Sequence, residues 1–329
     1  MNKTIKEIPK IELHCHLDGS VSPTYIQTQA KEQNIAIDMT KISANAQCQS
    51  LDEYLRCFDE ILKVMQTSKS LSDSVIDVVS QAHHDGVKYI ELRFAPKFHM
   101  DQGLSLSEVL NAVVQGAVQA EHQYPVIVRL LVCGMKHHSN AENIEVFKQI
   151  HTQPSIQKYI VGVDLAGGEE DEAMMQFAEC IEYAQTHNMN LTLHAGECGC
   201  NKNVYDAIKL GAQRIGHGVS SIKDVQLLET LKTEDILLEI CPCSNLQTKA
   251  IRYISEIDLP LLKKLDVPFL INTDNRGVTQ TNLIKEYTLL LENELLTMED
   301  IVTINRKALK YAFVESEVKV QLMNRYFNE

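Results

Sequence analysis

His14 and His16 stand two residues apart in the segment KIELHCHLDG, which spans residues 10–19. They end a short apolar run, and on a β-strand residues i and i+2 point to the same face. Both imidazole rings can therefore aim at one point, as a shared metal ion requires, and neutral imidazole is the commonest metal ligand among side chains. The spacing alone also fits two polar residues at the end of a strand, so the rest of the chain has to decide.

Three further segments place metal-binding or proton-transferring groups directly after apolar runs. The small residues before Glu197 leave space for a substrate, and the glycines on both sides of His217 allow close approach to a ligand. Three histidines and one carboxylate suit zinc, which in catalytic sites lowers the pKa of a bound water to about 7. The three segments are His194-Ala195-Gly196-Glu197, Gly216-His217-Gly218 and Asn272-Thr273-Asp274-Asn275.

One metal is expected rather than two. The fourth apolar run ends in the sequence VDLAGG, residues 163–168, without a lysine whose carbamate would bridge two ions. Two other zinc patterns are absent from the sequence, namely HExxH and the HxE with PCxxC of cytidine-type deaminases.

Eight short apolar runs recur between stretches of helical periodicity. Several are apolar almost throughout, which is typical of strands buried on both faces of a parallel sheet. Eight βα units in a chain of 329 residues predict an α/β fold, a (β/α)8 TIM barrel, with functional residues at the carboxyl ends of its strands. The runs are Ile11–His16, Val87–Phe94, Val126–Cys133, Ile160–Leu165, Leu191–His194, Arg214–His217, Ile236–Cys241 and Pro268–Thr273.

The gap between the first two runs is long enough to hold several helices beyond a single crossover. We expect a helical insertion after the first strand that forms a lid over the barrel mouth. Within it, helical spacing runs from Leu51 to Met65 behind a capping-box pattern at residues 50–53. No compositional break occurs, so residues 1–329 are expected to form a single domain. An open, doubly wound sheet is the alternative, but the sequence has neither a GxGxxG motif nor a P-loop.

The composition excludes several classes of function. The formal net charge is −13 and no basic patch occurs, so nucleic acid is not an expected partner. The most apolar window, residues 126–135, is short and carries Arg129, and the amino terminus has no signal-peptide pattern, so no membrane association is expected. The nine cysteines form no CxxC pair, which predicts free thiols in a cytoplasmic protein. No feature of the sequence indicates an obligatory protein partner.

Seven motifs, in order along nearly the whole chain, resemble those of the metal-dependent adenosine/AMP deaminase family. The resemblance implies zinc-dependent hydrolytic deamination of adenosine, and of 2′-deoxyadenosine, to inosine and ammonia in purine salvage. The small-molecule partner is then a purine nucleoside, and the cofactor is one Zn²⁺ per chain. The motifs cover residues 12–19, 91–96, 164–167, 194–197, 214–218, 241–244 and 272–274.

The resemblance also implies roles for single residues at the reacting end of the substrate. Its zinc ligands are His14, His16, His194 and Asp274. Glu197 is the proton donor to purine N1, and His217 acts with Asp274 to orient and stabilise the attacking hydroxide.

Further residues are implied as substrate contacts, with His16 among them. Asp18 contacts a ribose hydroxyl, and the backbone N–H of Gly167 contacts purine N3. An apolar helix covers the substrate and contributes Leu51, Tyr54, Leu55 and Phe58.

Asn275 departs from the family pattern, in which a second aspartate often follows the ligand aspartate and contacts purine N7. N7 of a neutral purine is an acceptor, and an asparagine NH₂ can donate to it, whereas an ionised carboxylate needs an extra proton. We therefore expect the Asn275 NH₂ to donate to N7 without the extra proton that a carboxylate at this position needs.

Rival functions remain open on sequence grounds. Relatives act on adenine, aminofutalosine or N6-methyl-AMP, but no Lys/Arg cluster adjoins the motifs to hold a 5′-phosphate. A metal-dependent amidase or phosphotriesterase on the same barrel lacks its bridging lysine here. A binding protein without activity does not need the retained ligands and Glu197. A cysteine hydrolase using Cys15 and His14 is disfavoured because adjacent strand residues face opposite sides.

Overall fold

Eight parallel strands lie in sequential order around a barrel in the computed structural model, which describes residues 4–44, 48 and 50–327. The barrel closes between the last and first strands, where the backbone N–H of His16 donates to the Asp274 carbonyl at 2.7 Å and that of Asp274 donates to the His14 carbonyl at 3.0 Å. The strands are β1 Lys10–His16, β2 Val87–Phe94, β3 Ile127–Met135, β4 Ile160–Ala166, β5 Asn190–Ala195, β6 Arg214–His217, β7 Leu237–Ile240 and β8 Phe269–Ile271.

The predicted (β/α)8 barrel is thus confirmed. Each predicted run coincides with a strand, and the boundaries differ by two residues at most. The strands are buried almost throughout, because helices cover the outside of the sheet and side chains fill its inside. The nine cysteines are free thiols, as predicted.

Helices alternate with the strands and pack around the barrel. In the described part of the chain, no helix is both long and apolar enough to cross a membrane. The helices are α1 Leu17–Ser20, α2 Pro23–Gln33, α3 Leu51–Leu55, α4 Phe58–Leu62, α5 Ser68–His84, α6 Leu106–Gln123, α7 Asn140–Ile150, α8 Pro154–Gln157, α9 Ala178–Thr186, α10 Asn201–Lys209, α11 Val225–Thr233, α12 Pro242–Gln247, α13 Leu259–Leu265, α14 Arg276–Thr279, α15 Leu283–Glu292, α16 Met298–Ala308 and α17 Ser316–Leu322.

The expected helical insertion lies between β1 and β2 and contains α1–α5. The capping-box pattern does begin a helix, since the Ser50 hydroxyl accepts the backbone N–H of Glu53 at 3.1 Å. The single helix suggested by the spacing from Leu51 to Met65 is instead two short helices, α3 and α4. The chain tightens between them, where the N–H of Cys57 donates to the carbonyl three residues back at 3.2 Å.

A β-bulge interrupts β1 next to the two histidines. Glu12 pairs with Ile90 and Cys15 with Leu92, so three residues of β1 advance against two of β2. The Asn272 side chain holds the extra residue, because its Oδ1 accepts the N–H groups of Leu13 at 2.9 Å and of His14 at 3.1 Å. A bulge of this kind re-aims the side chains that follow it.

The lower interior of the barrel is charged rather than apolar. Glu239 on β7 accepts from Arg93 at 2.7 Å and from Arg214 at 2.7 Å. Arg93 also pairs with Asp164 at 2.8 Å, and Arg214 with Glu91 at 2.6 Å, and all five side chains are fully buried. Buried charges are tolerated when each is paired and hydrogen-bonded. These five side chains therefore form an ion-pair network inside the barrel.

Candidate metal centre and active site

Five side chains expected at strand ends converge at the carboxyl end of the barrel. The Nε2 atoms of His16 and His194 lie 3.1 Å apart, and Asp274 Oδ1 lies 3.3 Å from His14 Nε2 and 3.4 Å from His16 Nε2. Donor atoms of His14, His194, His217 and Asp274 also lie within 4.8 Å of one another. Two ligand atoms bound to one tetrahedral zinc are about 3.4 Å apart, so these separations match a shared ion.

Hydrogen bonds to the Nδ1 atoms of His14 and His194 leave the Nε2 lone pairs of both rings free for a metal ion. Nδ1 of His14 donates to Glu239 Oε2 at 2.9 Å, and Nδ1 of His194 donates to Asp164 Oδ2 at 2.9 Å. Such carboxylate–histidine pairs fix the tautomer that leaves Nε2 free for a metal. His14 Nε2 is indeed buried without a hydrogen-bond partner among the described residues. The donor set therefore fits a divalent ion.

The carboxylate donor is oriented in the same way. The Ser244 hydroxyl at the start of α12 donates to Asp274 Oδ2 at 2.6 Å, which leaves Oδ1 facing the histidines. Asp274 and His217 both adopt left-handed backbone conformations, with φ of 62° and 63°. Non-glycine residues with such φ values are strained and cluster at functional sites.

Burial sets the charge state of the remaining groups. It lowers the pKa of His16, His194 and His217 below the usual range, so these rings are neutral at pH 7. Burial, with the charges of Asp274 and Glu169, raises the pKa of Glu197 to about 8. The Glu197 carboxyl is thus protonated at neutral pH.

His217 and Glu197 lie side by side, with 3.6 Å between Nε2 and Oε2. His217 is held from behind by Asn245 of α12, whose Nδ2 lies 3.1 Å from Nδ1. The site therefore combines imidazole nitrogens, one ionised carboxylate and one carboxyl with a raised pKa, which suits activation of a water and protonation of a bound substrate.

A cavity of about 280 Å³ opens above the donor cluster. All the predicted site residues line it except His14, which is fully buried. Asp18 is fixed there, because Oδ1 lies 2.7 Å from His99 Nε2 and Oδ2 accepts the N–H of Ala95 at 3.0 Å. The predicted members are His16, Asp18, Leu51, Tyr54, Leu55, Phe58, Gly167, His194, Glu197, His217, Asp274 and Asn275.

Asn275 lies under α1. A Cβ on Gly19 would come within 2.1 Å of Asn275 Oδ1, so that oxygen packs against the glycine. The oxygen is buried without a hydrogen-bond partner among the described residues. The amide nitrogen is then the polar atom of Asn275 that a ligand in the cavity can reach.

Several contributors escaped the sequence analysis. Glu239 orients His14, and its only signal was one acidic residue inside an apolar run. Ser244 lay within a recognised motif without an assigned role. His137, which lies outside every motif, is exposed and also lines the cavity, where its ring stacks on that of Phe98 with 5.9 Å between the ring centroids. Nothing in the local pattern of His137 indicated that position.

Comparisons with known proteins agree with this geometry. A family model described as adenosine deaminase matches residues 9–328. An adenosine deaminase of Enterococcus faecalis is 40% identical over 99% of this chain and 97% of its own length. The structure of the N6-methyl-AMP deaminase of Arabidopsis thaliana superposes with a TM-score of 0.84 at 28% identity, over 98% of this chain and 97% of that one. An adenine deaminase of Arthrobacter aurescens shares the fold, with a TM-score of 0.87 at 21% identity over 96% and 97% of the two chains.

Proposed function

Because the chain belongs to the adenosine deaminase family, we propose that it hydrolyses adenosine and 2′-deoxyadenosine to inosine and ammonia. The observation that carries the proposal is geometric: the Glu197 carboxyl lies 3.6 Å from His217 Nε2, beside a buried cluster of imidazoles and one carboxylate that lines a small cavity. The free thiols fit a reducing compartment, so we propose purine salvage in the cytoplasm, carried out by residues 1–329 as one domain.

We propose one zinc ion per chain, held by His14, His16, His194 and Asp274. When bound, such an ion acts as a Lewis acid that makes a water nucleophilic near neutral pH. His217 is assigned to orienting that water, since its ring adjoins the donor cluster and Asn245 fixes its position.

The chain's own residues then divide the work of the reaction. Glu197 donates its proton to purine N1, which draws electrons from C6 and makes it more electrophilic. The water oxygen bonds to C6 while Asp274 and His217 hold its protons. One proton of the water passes to the amino group, so that the C6–N bond breaks and the amino group leaves as ammonia. The second proton of the water returns to Glu197 as C6 becomes a carbonyl. General-acid catalysis of this kind contributes typically ~10²–10⁴-fold.

Contacts at the edges of the cavity place the substrate. The Asp18 carboxylate accepts the N–H of Ala95 and contacts His99 Nε2, but it has about four acceptor sites and retains lone pairs for a ribose hydroxyl. The N–H of Gly167 is assigned to N3 and the Asn275 amide to N7. Leu51, Tyr54, Leu55 and Phe58 cover the apolar face of the base, and His16 adjoins the sugar side.

A substrate panel tests this function. Adenosine, 2′-deoxyadenosine, adenine, AMP and aminofutalosine are compared by the loss of absorbance as the 6-amino group is replaced. We expect the highest kcat/KM with the nucleosides, because the cavity carries the acidic side chains of Asp18 and Asp59 rather than a cationic cluster for a phosphate. Preference for adenine, AMP or aminofutalosine would overturn the assignment of a nucleoside substrate.

A further inference from the structure

Glu169 lies in the loop after β4 and receives an unusual set of hydrogen bonds. Its Oε1 accepts the backbone N–H of Gly196 at 2.8 Å, and its Oε2 accepts those of Glu197 and Cys198, each at 2.8 Å. Three consecutive N–H groups of the segment that carries Glu197 thus converge on one carboxylate. Successive N–H groups that point inward form a concave anion site, here filled by a side chain of the same protein.

The conformation of that segment requires such a partner. Gly196 has a φ of +74°, and a Cβ there would come within 2.6 Å of both Ser220 Oγ and Val204 Cγ2. This left-handed turn directs the three N–H groups away from helix or sheet partners. The N–H groups of Gly196 and Glu197 lie in partly buried surroundings, where the lack of an acceptor is costly, so Glu169 stabilises a backbone shape that would otherwise relax.

Glu169 is itself held in place by Asn203 in the first turn of α10. Asn203 Nδ2 donates to Glu169 Oε1 at 3.0 Å and to the Glu170 carbonyl at 2.8 Å, while its Oδ1 accepts the N–H of Met174 at 3.2 Å. Asn203 is only 1% exposed. The carboxylate is therefore a fixed anchor rather than a mobile surface group.

Glu169 joins the loop after β4 to the loop after β5. The proposed function assigns a contact with the six-membered ring of the purine to each of these loops. Gly167, assigned to N3, lies two residues before Glu169, and Glu197, assigned to N1, provides one of the three N–H groups. N1 and N3 belong to the six-membered ring of the purine. The Glu169 side chain therefore links the loop that carries Gly167 to the segment that carries Glu197.

We propose that Glu169 is a positioning residue that holds Glu197 in line with purine N1 by binding the backbone N–H groups of residues 196–198. The proposal rests on the proposed function. Glu169 is not among the proposed metal ligands and does not itself donate the proton, although its charge helps to raise the pKa of Glu197.

The variant Glu169→Gln tests the proposal, because its NH₂ group must oppose some of the three N–H donors. Glu170→Gln is the matched control: it removes the same charge from the neighbouring position, whose side chain is exposed. We expect Glu169→Gln to lower kcat for adenosine by roughly 10–100-fold, as misplacement of a catalytic group does, with a much smaller change in KM. Metal content should remain near wild type and the variant should stay folded, with a lowered thermal unfolding midpoint because the bonds to the three N–H groups are weakened. Glu170→Gln should behave as wild type.

A double-mutant cycle with Glu197→Gln separates positioning from general damage. If Glu169 acts through Glu197, adding Glu169→Gln to Glu197→Gln should cause little further loss of kcat. The same fold loss in both backgrounds, or a Glu169→Gln variant with wild-type kcat, would overturn the proposal.

Hydrogen exchange on the unmodified protein gives a test that does not depend on a variant folding. The amides of Glu197 and Cys198 should exchange slowly, although the Cys198 side chain is exposed. Exchange at the rate of an open loop would refute the bonds to Glu169. If the wild type fails to deaminate adenosine while these amides are protected, the proposed function is wrong, but the hydrogen bonds from residues 196–198 to Glu169 are still supported.

Discussion

Replacing Asn275 by alanine probes the position at which this chain departs from the family pattern. Asn275 is 4% exposed, its Oδ1 has no hydrogen-bond partner among the described residues, and its side chain contacts the Tyr54 hydroxyl, a contact that the substitution removes. If its NH₂ donates to purine N7, the loss of one neutral hydrogen bond costs about 0.5–1.5 kcal/mol. Since 1.4 kcal/mol is a factor of ten, kcat/KM for adenosine should fall by roughly 2–12-fold.

The assay compares adenosine with its 7-deaza analogue, which has carbon in place of N7. Steady-state kinetics are measured for wild type and Asn275→Ala with both substrates, and metal content is measured for both proteins. The analogue should be a poor substrate for wild type, and Asn275→Ala should add little further loss with it. Equal penalties of Asn275→Ala for the two substrates would refute recognition of N7 and reduce Asn275 to support of the turn before α14.

Three other perturbations address the metal, the proton donor and stability. Purified protein should contain about one zinc per chain, and Asp274→Ala should lose metal or nearly all activity; elemental analysis giving two ions per chain, or full activity after exhaustive chelation, would contradict a single centre. Glu197→Gln keeps the shape but removes the transferable proton, so metal content should stay near wild type while kcat falls by roughly 10²-fold or more; near-normal turnover would assign proton donation to another group. Burial raises the pKa of Glu286 from 4.5 to about 7, so its stabilising contribution is fully present below pH 4.5 and is lost as the pH rises through 7. The free energy of unfolding, from urea titrations at pH 4.5 and 8, should therefore fall more in wild type than in Glu286→Gln, by on the order of 1–3 kcal/mol, and parallel pH profiles would show that Glu286 does not titrate in this range.

The sequence was sufficient to predict the barrel and the place of its chemistry, because both depend on local signals. Strands buried on two faces are apolar throughout, and groups such as His217 stand out immediately after such runs. The carboxyl ends of barrel strands share one rim, so residues far apart in sequence could be assigned to one site without knowledge of their contacts.

The groups that hold the donors in place could not be predicted in the same way. Glu239 contacts His14, and Ser244 contacts Asp274, from other elements of the fold. These contacts follow from the packing of β7, α12, β8 and β1 in space rather than from spacing along the chain. The break between α3 and α4 escaped for another reason. The apolar periodicity continues through the break. The turn at Cys57 depends on backbone hydrogen bonds, which the spacing of apolar residues does not reveal.

The seam that closes the barrel and the proposed metal centre share three residues, His14, His16 and Asp274. The backbone of His14, His16 and Asp274 pairs the first strand to the end of the last, across a separation of 258 residues or more, while their side chains face one ion site. An ion bound there would cross-link the first strand to the residues that follow the last strand. At a free concentration 1,000 times its Kd, a ligand specific for the folded state adds about 4 kcal/mol to stability. Chelation should consequently loosen the barrel first where β1 meets β8, so that metal supply controls how long the folded enzyme persists as well as how fast it turns over.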